Sequence, residues 1–311
     1  MSSIEKTIKR FKAKESVEKQ HAKNEYVVEN NPKKNREHTN DPSDDVNQLD
    51  TYDITLNKIL NIDTEKLKEL GYICPNDMTS QISEEFRNIK RPILMNAFGK
   101  GAAPIENGKL IIVSSAVPGE GKTFTTLNLA ISIAMERNTT VLLVDTDVTN
   151  PSLSRIFQLE NQLGLLDVLS NDNLSVGEII HKTNIPTLSV IPAGNTHPYA
   201  AELLSSNSMQ KFVDEVIERY SDRIILFDAP PILATSHAKV LAQIAGQIML
   251  VVEAGKTLQA TVKEAISKLN NKKVIGVILN KSRNVFKGGY GYGYYGSYGH
   301  DAVAKIDKIK K

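Results

Sequence analysis

The sequence of 311 residues has a single cysteine, almost no net charge and no long apolar run. Because Cys74 has no second cysteine to pair with, an internal disulfide is excluded, and a lone thiol fits a reducing compartment. The 38 Lys and Arg residues nearly balance the 36 Asp and Glu residues, so the basic excess of nucleic-acid-binding proteins is missing. Apolar runs such as 141–144 are far shorter than the ~20 residues that span a bilayer. The composition therefore favours a cytoplasmic protein with no nucleic-acid partner.

The first part of the chain is polar. MSSIEKTIKRFKAK has no apolar segment of the kind found in secretory signals. Residues 4–11 have the alternative of a short basic amphipathic turn at a membrane surface, but a solvated start is the simpler interpretation. Residues 1–48 are rich in Lys, Glu, Asn and Asp and bury too little apolar surface to offset ordering entropy. We predict that this segment is disordered.

Composition divides the rest of the chain into three parts. Residues 49–108 are predicted to be a helical lead-in, because Ile59, Leu60, Leu67 and Leu70 keep helical spacing and indicate short docked helices. Residues 109–285 form the predicted main domain. Residues 286–311 lack apolar periodicity and are predicted to be a flexible tail rich in glycine and tyrosine.

Strand and helix patterns alternate through the main domain. Near-continuous apolar runs, typical of strands covered on both faces, occur at 110–117, 141–144, 187–191, 223–227, 248–253 and 273–279. Between them, residues 127–134 and 209–220 carry apolar side chains at spacings of three and four. The alternation predicts the α/β class, with a doubly wound, mostly parallel sheet.

A glycine-rich stretch between the first predicted strand and helix carries the strongest chemical signal. SSAVPGEGKTFTT, residues 114–126, matches the end of the G-x-x-x-x-G-K-[ST] phosphate-loop pattern, with Ala116 in place of the first glycine. Glycines let backbone N–H groups approach phosphate oxygens, and the following helix offers the positive end of its dipole. The alternative is a simple glycine turn. The predicted nucleotide-binding residues are Pro118, Gly119, Glu120, Gly121, Lys122, Thr123 and Phe124, with Thr123 also placed on Mg²⁺.

Three carboxylates follow predicted strands. Asp145 and Asp147 come directly after 141–144, and Asp228 follows 223–227. Ligands of open α/β sheets bind at the carboxyl edge of the strands, and Mg²⁺ prefers hard oxygen ligands. A carboxylate at a strand end is often only a helix cap, and Asp147 has the alternative of holding the turn at 149–151. Three such groups beside a phosphate loop favour a metal and proton-transfer set.

Half of the ten tyrosines lie in KGGYGYGYYGSYGH, residues 287–300. They are Tyr290, Tyr292, Tyr294, Tyr295 and Tyr298. The segment 291–296 formally matches G-x-G-x-x-G, but it lies in no strand-to-helix turn, so a dinucleotide site is rejected. Glycines on either side leave the backbone around these tyrosines loose and unobstructed, so their hydroxyl groups are accessible as acceptors. The alternative is a cohesive glycine-aromatic segment with no acceptor role.

Taken together, PGEGKT, LLVDTD, ILFDAPP and the terminal tyrosine cluster resemble the bacterial tyrosine autokinases of exopolysaccharide systems, which are P-loop kinases. The nearest resemblance is to the soluble, stand-alone subgroup associated with exosortase loci. It extends over roughly residues 50–300. The resemblance implies magnesium binding and activation of the attacking tyrosine at Asp145 and Asp147, and a magnesium contact at Asp228, usually through water. From the loop pattern itself, the catalytic role expected of Lys122 is to neutralise the β- and γ-phosphates.

The resemblance also implies how subunits and nucleotide are held. An E-x-x-R-x-x-R helix lets subunits of the family form rings, and Glu84, Arg87 and Lys90 match it with Lys in the last place. Arg forms planar bidentate pairs that Lys cannot form, and a plain surface helix is the alternative. In related P-loop ATPases an asparagine after the last strand reads the adenine ring, which points to Asn280.

The implied function is an ATP- and Mg²⁺-dependent protein-tyrosine kinase that phosphorylates its own tail in trans and regulates exopolysaccharide polymerisation or export. The implied partners are further copies of the chain, an inner-membrane chain-length determinant that recruits it, and a tyrosine phosphatase. Thr149 stands where the family often has Arg, and Ala229 where it often has Ser, so a non-catalytic nucleotide-binding adaptor is one alternative. A positioning ATPase is the other, although Val117 and Pro118 replace the signature lysine region of that class.

Overall fold

The computed structural model describes residues 59–77, 79–219, 222–269 and 273–282. The predicted disordered segment 1–48 and the predicted tail 286–311, with all five candidate acceptor tyrosines, lie outside these residues. The described chain contains the predicted alternation of strands and helices.

A seven-stranded sheet forms the centre of the fold. Its strands are β1 (Leu110–Ser115), β2 (Thr140–Asp145), β3 (His181–Lys182), β4 (Leu188–Ile191), β5 (Arg223–Asp228), β6 (Gln247–Glu253) and β7 (Val274–Asn280). The strand order is β3-β4-β2-β5-β1-β6-β7. Every neighbouring pair is parallel except β3 with β4, which is antiparallel. The prediction of a mostly parallel α/β sheet is confirmed.

Helices cover both faces of the sheet. They are α1 (Thr64–Glu69), α2 (Gln81–Ala97), α3 (Lys122–Ala134), α4 (Ser152–Ile156), α5 (Leu165–Ser170), a 3₁₀ turn (Val176–Ile179), α6 (Ala200–Leu204), α7 (Asn207–Glu218), α8 (His237–Ile244) and α9 (Gln259–Ser267). Successive strand residues point to opposite faces. Ile111 of β1 therefore packs in a cluster with α2 and α3, while Ile112 packs with α7 and α8. Burial on both faces explains the unbroken apolar runs of β1, β2, β4, β5 and β6, whereas β7 at the sheet edge is largely exposed.

The described part of the lead-in, residues 59–77 and 79–108, contains α1 and α2 and packs on the main domain. Leu67 of α1 is buried, whereas Ile59 and Leu70 are exposed. Leu60 is not helical. It forms a parallel β-bridge with Thr183, because a backbone partner at the sheet edge satisfies its polar groups better than an isolated helical turn. None of the helices in the described part of the chain combines the length and apolar content needed to cross a bilayer.

Candidate active site

The predicted phosphate loop links the end of β1 to the start of α3. Gly119 and Gly121 have positive φ angles of 85° and 90°, a region that favours glycine because it has no Cβ. Gly121 is the residue that caps α3, and Lys122 and Thr123 are its first residues. The first turn of a helix has free N–H groups and a positive dipole end. The loop therefore has the backbone needed to hold phosphate groups.

Lys122 lies between two carboxylates. Its ammonium is 2.7 Å from Asp147 Oδ2 and 3.7 Å from Asp228 Oδ2. The side chains of Lys122, Asp147 and Asp228 are 12%, 4% and 0% exposed. Residues from three separate segments thus converge into one buried charge cluster at the carboxyl edge of the sheet. Of the three carboxylates expected beside the phosphate loop, Asp147 and Asp228 thus lie next to Lys122.

Two hydroxyl groups of α3 hold the Asp228 carboxylate. Thr123 Oγ1 donates to Asp228 Oδ2 over 2.7 Å, and Thr126 Oγ1 lies 3.0 Å from Asp228 Oδ1. The Thr126 hydroxyl is also 2.8 Å from the Lys122 carbonyl, so it can donate to either oxygen. Asp228 is therefore fixed to the helix that begins at the phosphate loop.

Asp145 is held differently from the other two carboxylates. Its Oδ2 accepts hydrogen bonds from both the backbone N–H and the hydroxyl of Ser154, at 2.9 and 2.8 Å. Its Oδ1 accepts from the N–H of Asp147 at 3.3 Å. The Ser154 hydroxyl in turn accepts from Ala193 N–H at 3.0 Å. Asp145 is thus tied to α4 and to the loop after β4.

Burial and neighbouring charges shift the protonation of this cluster. Burial, together with the negative charge of Asp228, raises the pKa of Asp145 to about 7 despite the hydrogen bonds from Ser154. Burial also raises the pKa of Asp228, although the Lys122 ammonium opposes this rise. Burial disfavours the charged form of Lys122, but Asp228 and Asp147 outweigh it and raise its pKa. Lys122 therefore stays cationic, while Asp145 can exchange a proton near neutral pH.

The cluster opens into a cavity of about 380 Å³. One side is the phosphate loop with Lys122, Thr123 and Phe124, and the other carries Thr149, Asn150, Pro231 and Thr235. A smaller cavity of about 220 Å³ lies on the other side of Pro118, beside Glu120, Glu253 and Leu258. The larger cavity therefore lies directly against the phosphate loop, with Lys122 and Asp147 in its wall.

The remaining predicted site residues have varied positions. Asn280 ends β7, and its amide donates to the Glu120 carbonyl at 2.8 Å, so it contacts the phosphate loop. Glu84 and Arg87 form an ion pair on α2, with side chains 57% and 30% exposed. Lys90 is turned inward and only 3% exposed, with its ammonium 2.7 Å from Glu136 and 2.6 Å from the Ser132 carbonyl. The structure thus places Lys90 inside the subunit rather than beside Glu84.

Several residues of the site carry no clear sequence signal. Ser154 and Thr126 hold the carboxylates, but an isolated Ser or Thr is common on any helix. Lys281 directly follows Asn280, and its ammonium is 2.7 Å from the Gly119 carbonyl. Tyr72 of the lead-in packs on Phe124 with ring centroids 4.9 Å apart. Burial and the Asp228 charge raise the pKa of the Tyr72 phenol, which places this ring near the cluster.

The oxygen donors beside the loop fit magnesium delivered with a nucleotide. Mg²⁺ prefers oxygen ligands and usually combines one or two protein groups with waters and phosphate oxygens. Thr123 Oγ1 and Asp228 Oδ2 are hard donors 2.7 Å apart at the end of the loop. Among the described residues, no group of three or more His, Cys, Asp or Glu side chains forms a self-contained metal site. This donor set fits a metal ion that takes its remaining ligands from nucleotide phosphates and water.

The chain is similar to a family of P-loop domains and to named bacterial tyrosine kinases. The profile of a family described as an AAA domain matches residues 108–278, which places the chain among P-loop nucleotide-binding proteins. The chain is 35% identical over 218 residues to the tyrosine-protein kinase YwqD of Bacillus subtilis, covering 69% of this chain and 86% of the relative. It is 34% identical over 197 residues to the tyrosine-protein kinase CpsD of Streptococcus agalactiae, covering 62% and 83%.

The fold is also similar to solved structures of related proteins. The chimerical protein CapA2B2 superposes with a TM-score of 0.56 at 26% identity, covering 70% of this chain and 97% of that chain. The BceF tyrosine kinase domain superposes with a TM-score of 0.55 at 27% identity, covering 69% and 86%. The chain belongs to the bacterial tyrosine-protein kinases. Its site is accordingly that of a protein-tyrosine kinase with a P-loop fold.

Proposed function

We propose that this kinase transfers the γ-phosphoryl group of Mg-ATP to tyrosines of its own C-terminal cluster, with one subunit acting on the tail of another. The observation that carries the proposal is the buried group of Lys122, Asp147 and Asp228 at the end of the phosphate loop. Phosphoryl transfer needs positioned charge rather than covalent chemistry by the protein. A cation and two carboxylates in one cavity supply that charge.

Each residue of the cluster has a distinct task in the proposed reaction. Lys122 binds the β- and γ-phosphates and stabilises the charge that develops on them. The tyrosine oxygen attacks the γ-phosphorus, the bond to the bridging oxygen of ADP breaks, and the phenolic proton passes to Asp147. The Lys122 ammonium can move from Asp147 to phosphate, because both are anions at the same cavity wall. That move frees Asp147 to accept the proton.

The magnesium ion would be held by Thr123 and Asp228, with Asp145 as the third oxygen group predicted from the sequence. When bound, Mg²⁺ neutralises phosphate charge and aligns the phosphate chain. Both oxygens of Asp145 already accept hydrogen bonds, which favours a role through an intervening water. In this proposal the loop residues from Pro118 to Phe124 surround the phosphates, and Asn280 lies at the nucleotide side of the loop.

The acceptors are the five tyrosines that follow β7. Tyr290, the first of them, is ten residues beyond Asn280, and ten residues span at most about 35 Å. Each phosphate adds about −1.5 to −2 charges at pH 7. Repeated phosphorylation would therefore repel neighbouring tails and loosen an assembly held by tail docking.

The proposed assembly follows the family. Residues 109–285 are the kinase domain, 49–108 the lead-in with the oligomerisation helix, and 286–311 the acceptor tail after a polar 1–48 segment. Glu84 is exposed and Arg87 partly exposed on α2, and we place the subunit contact on this side of the helix, whereas Lys90 supports it from within. We further propose cytoplasmic function next to an inner-membrane chain-length determinant, reversal by a tyrosine phosphatase, and control of exopolysaccharide polymerisation or export. The alternative of a positioning ATPase has less support, since the relatives above are named as tyrosine kinases.

The test is direct labelling. Purified protein is incubated with Mg-ATP, alone and with its membrane activator, and phosphate is mapped by mass spectrometry. We expect phosphotyrosine within residues 290–298, and none after substitution of the five tyrosines by phenylalanine. A second experiment mixes two variants: Lys122→Met, which keeps the tail tyrosines, and the phenylalanine variant, which keeps Lys122. We expect phosphotyrosine only on the Lys122→Met chain. Labelling of neither chain in the mixture would refute transfer between subunits.

A further inference from the structure

Two adjacent side chains at the end of β7 hold two adjacent carbonyl groups of the phosphate loop. Asn280 Nδ2 donates to the Glu120 carbonyl at 2.8 Å. Lys281 Nζ donates to the Gly119 carbonyl at 2.7 Å. We propose that Asn280 and Lys281 form a clamp that fixes the phosphate loop in its phosphate-binding shape, so that both are positioning residues for the kinase. The inference rests on the proposed use of this loop for Mg-ATP.

Peptide geometry connects the clamp to phosphate binding. In a trans peptide the C=O of one residue and the N–H of the next point in opposite directions, and no cis peptide occurs in the described chain. Holding the carbonyls of Gly119 and Glu120 toward β7 therefore turns the N–H groups of Glu120 and Gly121 away from it. Those N–H groups belong to the segment that phosphate loops use to bind phosphate oxygens.

The backbone at Lys281 makes a double contact possible. Successive side chains of a strand point to opposite faces, so two neighbours normally cannot contact one loop. Lys281 has a φ angle of 57°, which is uncommon for a residue other than glycine. This turn at the end of β7 breaks the alternation and directs both side chains to the loop. Backbone conformations that cost free energy are concentrated at functional sites, which is consistent with a positioning role for Lys281.

Two carboxylates support the clamp, one from the end of β6 and one from the loop itself. Glu253 Oε2 is 3.1 Å from Lys281 Nζ and 3.3 Å from Lys256 Nζ, so it orients the Lys281 ammonium. The Glu120 side chain is 2% exposed and accepts from Val117 N–H at 2.9 Å and Glu253 N–H at 3.3 Å. It also accepts from the Thr257 hydroxyl. The Glu120 carboxylate is therefore part of the loop support, and phosphate is left to the loop backbone.

A clamp role for Asn280 and an adenine-binding role for Asn280 predict different effects on ligand binding. A residue that reads adenine affects nucleotides with that base and leaves binding of phosphate alone unchanged. A residue that shapes the loop affects every ligand that binds through phosphates. Mg-tripolyphosphate, which has no base, separates the two roles.

The experiment measures the affinity of wild type and variants for Mg-ATP and Mg-tripolyphosphate by calorimetry, with KM for ATP and kcat in parallel. For Lys281→Met and Asn280→Ala we expect about fivefold weaker binding of both ligands, the effect of losing one hydrogen bond of ordinary strength. We expect KM to rise by the same factor with kcat changed less than twofold. Lys281→Arg should restore binding, because a guanidinium can donate to the same carbonyl.

Lys256→Met is the matched control. It removes a lysine that pairs with the same Glu253 carboxylate. The Lys256 side chain is 75% exposed, and its ammonium lies 3.3 Å from Glu253 Oε2, whereas that of Lys281 also contacts a loop carbonyl. We expect its affinities to stay within twofold of wild type. If Lys281→Met also stays within twofold, the clamp is refuted and the kinase proposal is unaffected. If Asn280→Ala weakens Mg-ATP but not Mg-tripolyphosphate, Asn280 reads the base and the clamp is refuted for that residue. Wild-type protein that binds both ligands yet never forms phosphotyrosine refutes the kinase proposal alone.

Discussion

The Lys122 ammonium lies 2.7 Å from the Asp147 carboxylate, in a cluster that includes the fully buried Asp228. In the proposed reaction Lys122 binds phosphate and Asp147 accepts a proton, so we expect phosphate to replace this ion pair when nucleotide binds. A buried cation with two carboxylates also keeps the negative charges of the site from repelling one another.

We predict that Lys122→Met lowers the rate of autophosphorylation by about a hundredfold or more, because one preorganised cation is lost from the charge that develops on the phosphates. The measurement is the initial rate of phosphotyrosine formation at saturating Mg-ATP. Lys256→Met makes the same chemical change at an exposed position outside the cluster and should keep the wild-type rate. Thermal unfolding of both variants verifies that the fold persists, and an active Lys122→Met protein would contradict the assigned role.

The raised pKa of Asp145 predicts how the free energy of unfolding depends on pH in the absence of nucleotide and metal. Its pKa is about 7 in the fold against 3.8 for the free group, so the folded state binds more protons between these values. The free energy of unfolding therefore falls as pH rises from about 4 to 7, by at most about 1.4 kcal/mol per pH unit from this group, and its contribution is constant above that range.

Urea unfolding at pH 5 and pH 7.5 in the presence of a chelator measures this slope. Asp145→Asn removes the titration and keeps a side-chain oxygen for Ser154, so its stability should change less between the two pH values than that of wild type. Equal slopes for both proteins would show that Asp145 is ionised throughout the range.

The sequence predicts the architecture well because five of the six strands in parallel pairs are buried on both faces and so have unbroken apolar runs. The sixth strand, β7, also has an apolar run, although it lies at the sheet edge with Val277 and Leu279 exposed. The sequence misses β3, whose two residues are too few for a periodic signal. The phosphate loop and three carboxylates are recognisable because strand ends place them at one edge. Ser154, Lys281 and Tyr72 are not, because their contacts join distant segments and depend on packing rather than spacing.

Lys90 shows the same limit on a single helix. An α-helix turns 100° per residue, so steps of three residues drift by about 60° each and place Lys90 about 120° around the axis from Glu84. The family spacing alone therefore cannot place these side chains on one exposed face. In the structure the outer part of α2 carries Glu84 and Arg87, and the inner part carries Lys90.

This difference leads to opposite expectations for Lys90→Ala and Glu84→Ala. Lys90→Ala removes a buried stem and an ion pair, and we expect it to lower the free energy of unfolding by about 1–3 kcal/mol. Glu84→Ala changes an exposed pair, so stability should stay within about 1 kcal/mol while the mass of the proposed assembly falls. Thermal unfolding and light scattering of each variant measure the two effects. Dissociation by Lys90→Ala at unchanged stability would instead place Lys90 at the subunit contact.

Gly119 and Gly121 offer a matched pair of substitutions within the phosphate loop. Both have positive φ angles, so alanine costs about 1–2 kcal/mol of backbone strain at either position. They differ in their surroundings within the described chain. A Cβ at Gly119 meets nothing within 4 Å, whereas one at Gly121 comes 2.1 Å from Asn280 Nδ2. Alanine at Gly121 therefore displaces the Asn280 amide and releases the Glu120 carbonyl.

We expect Gly121→Ala to weaken Mg-tripolyphosphate binding more than Gly119→Ala at similar stability. Since Gly121→Ala already displaces the amide, adding Asn280→Ala should cost little more, and the double variant should bind better than the product of the single effects predicts. In the Gly119→Ala background, Asn280→Ala should keep its full effect of about fivefold. Calorimetric titration of wild type, the three single variants and the two double variants measures both cycles. Independent effects in the Gly121 cycle would mean that Asn280 and the loop backbone are not coupled through this contact.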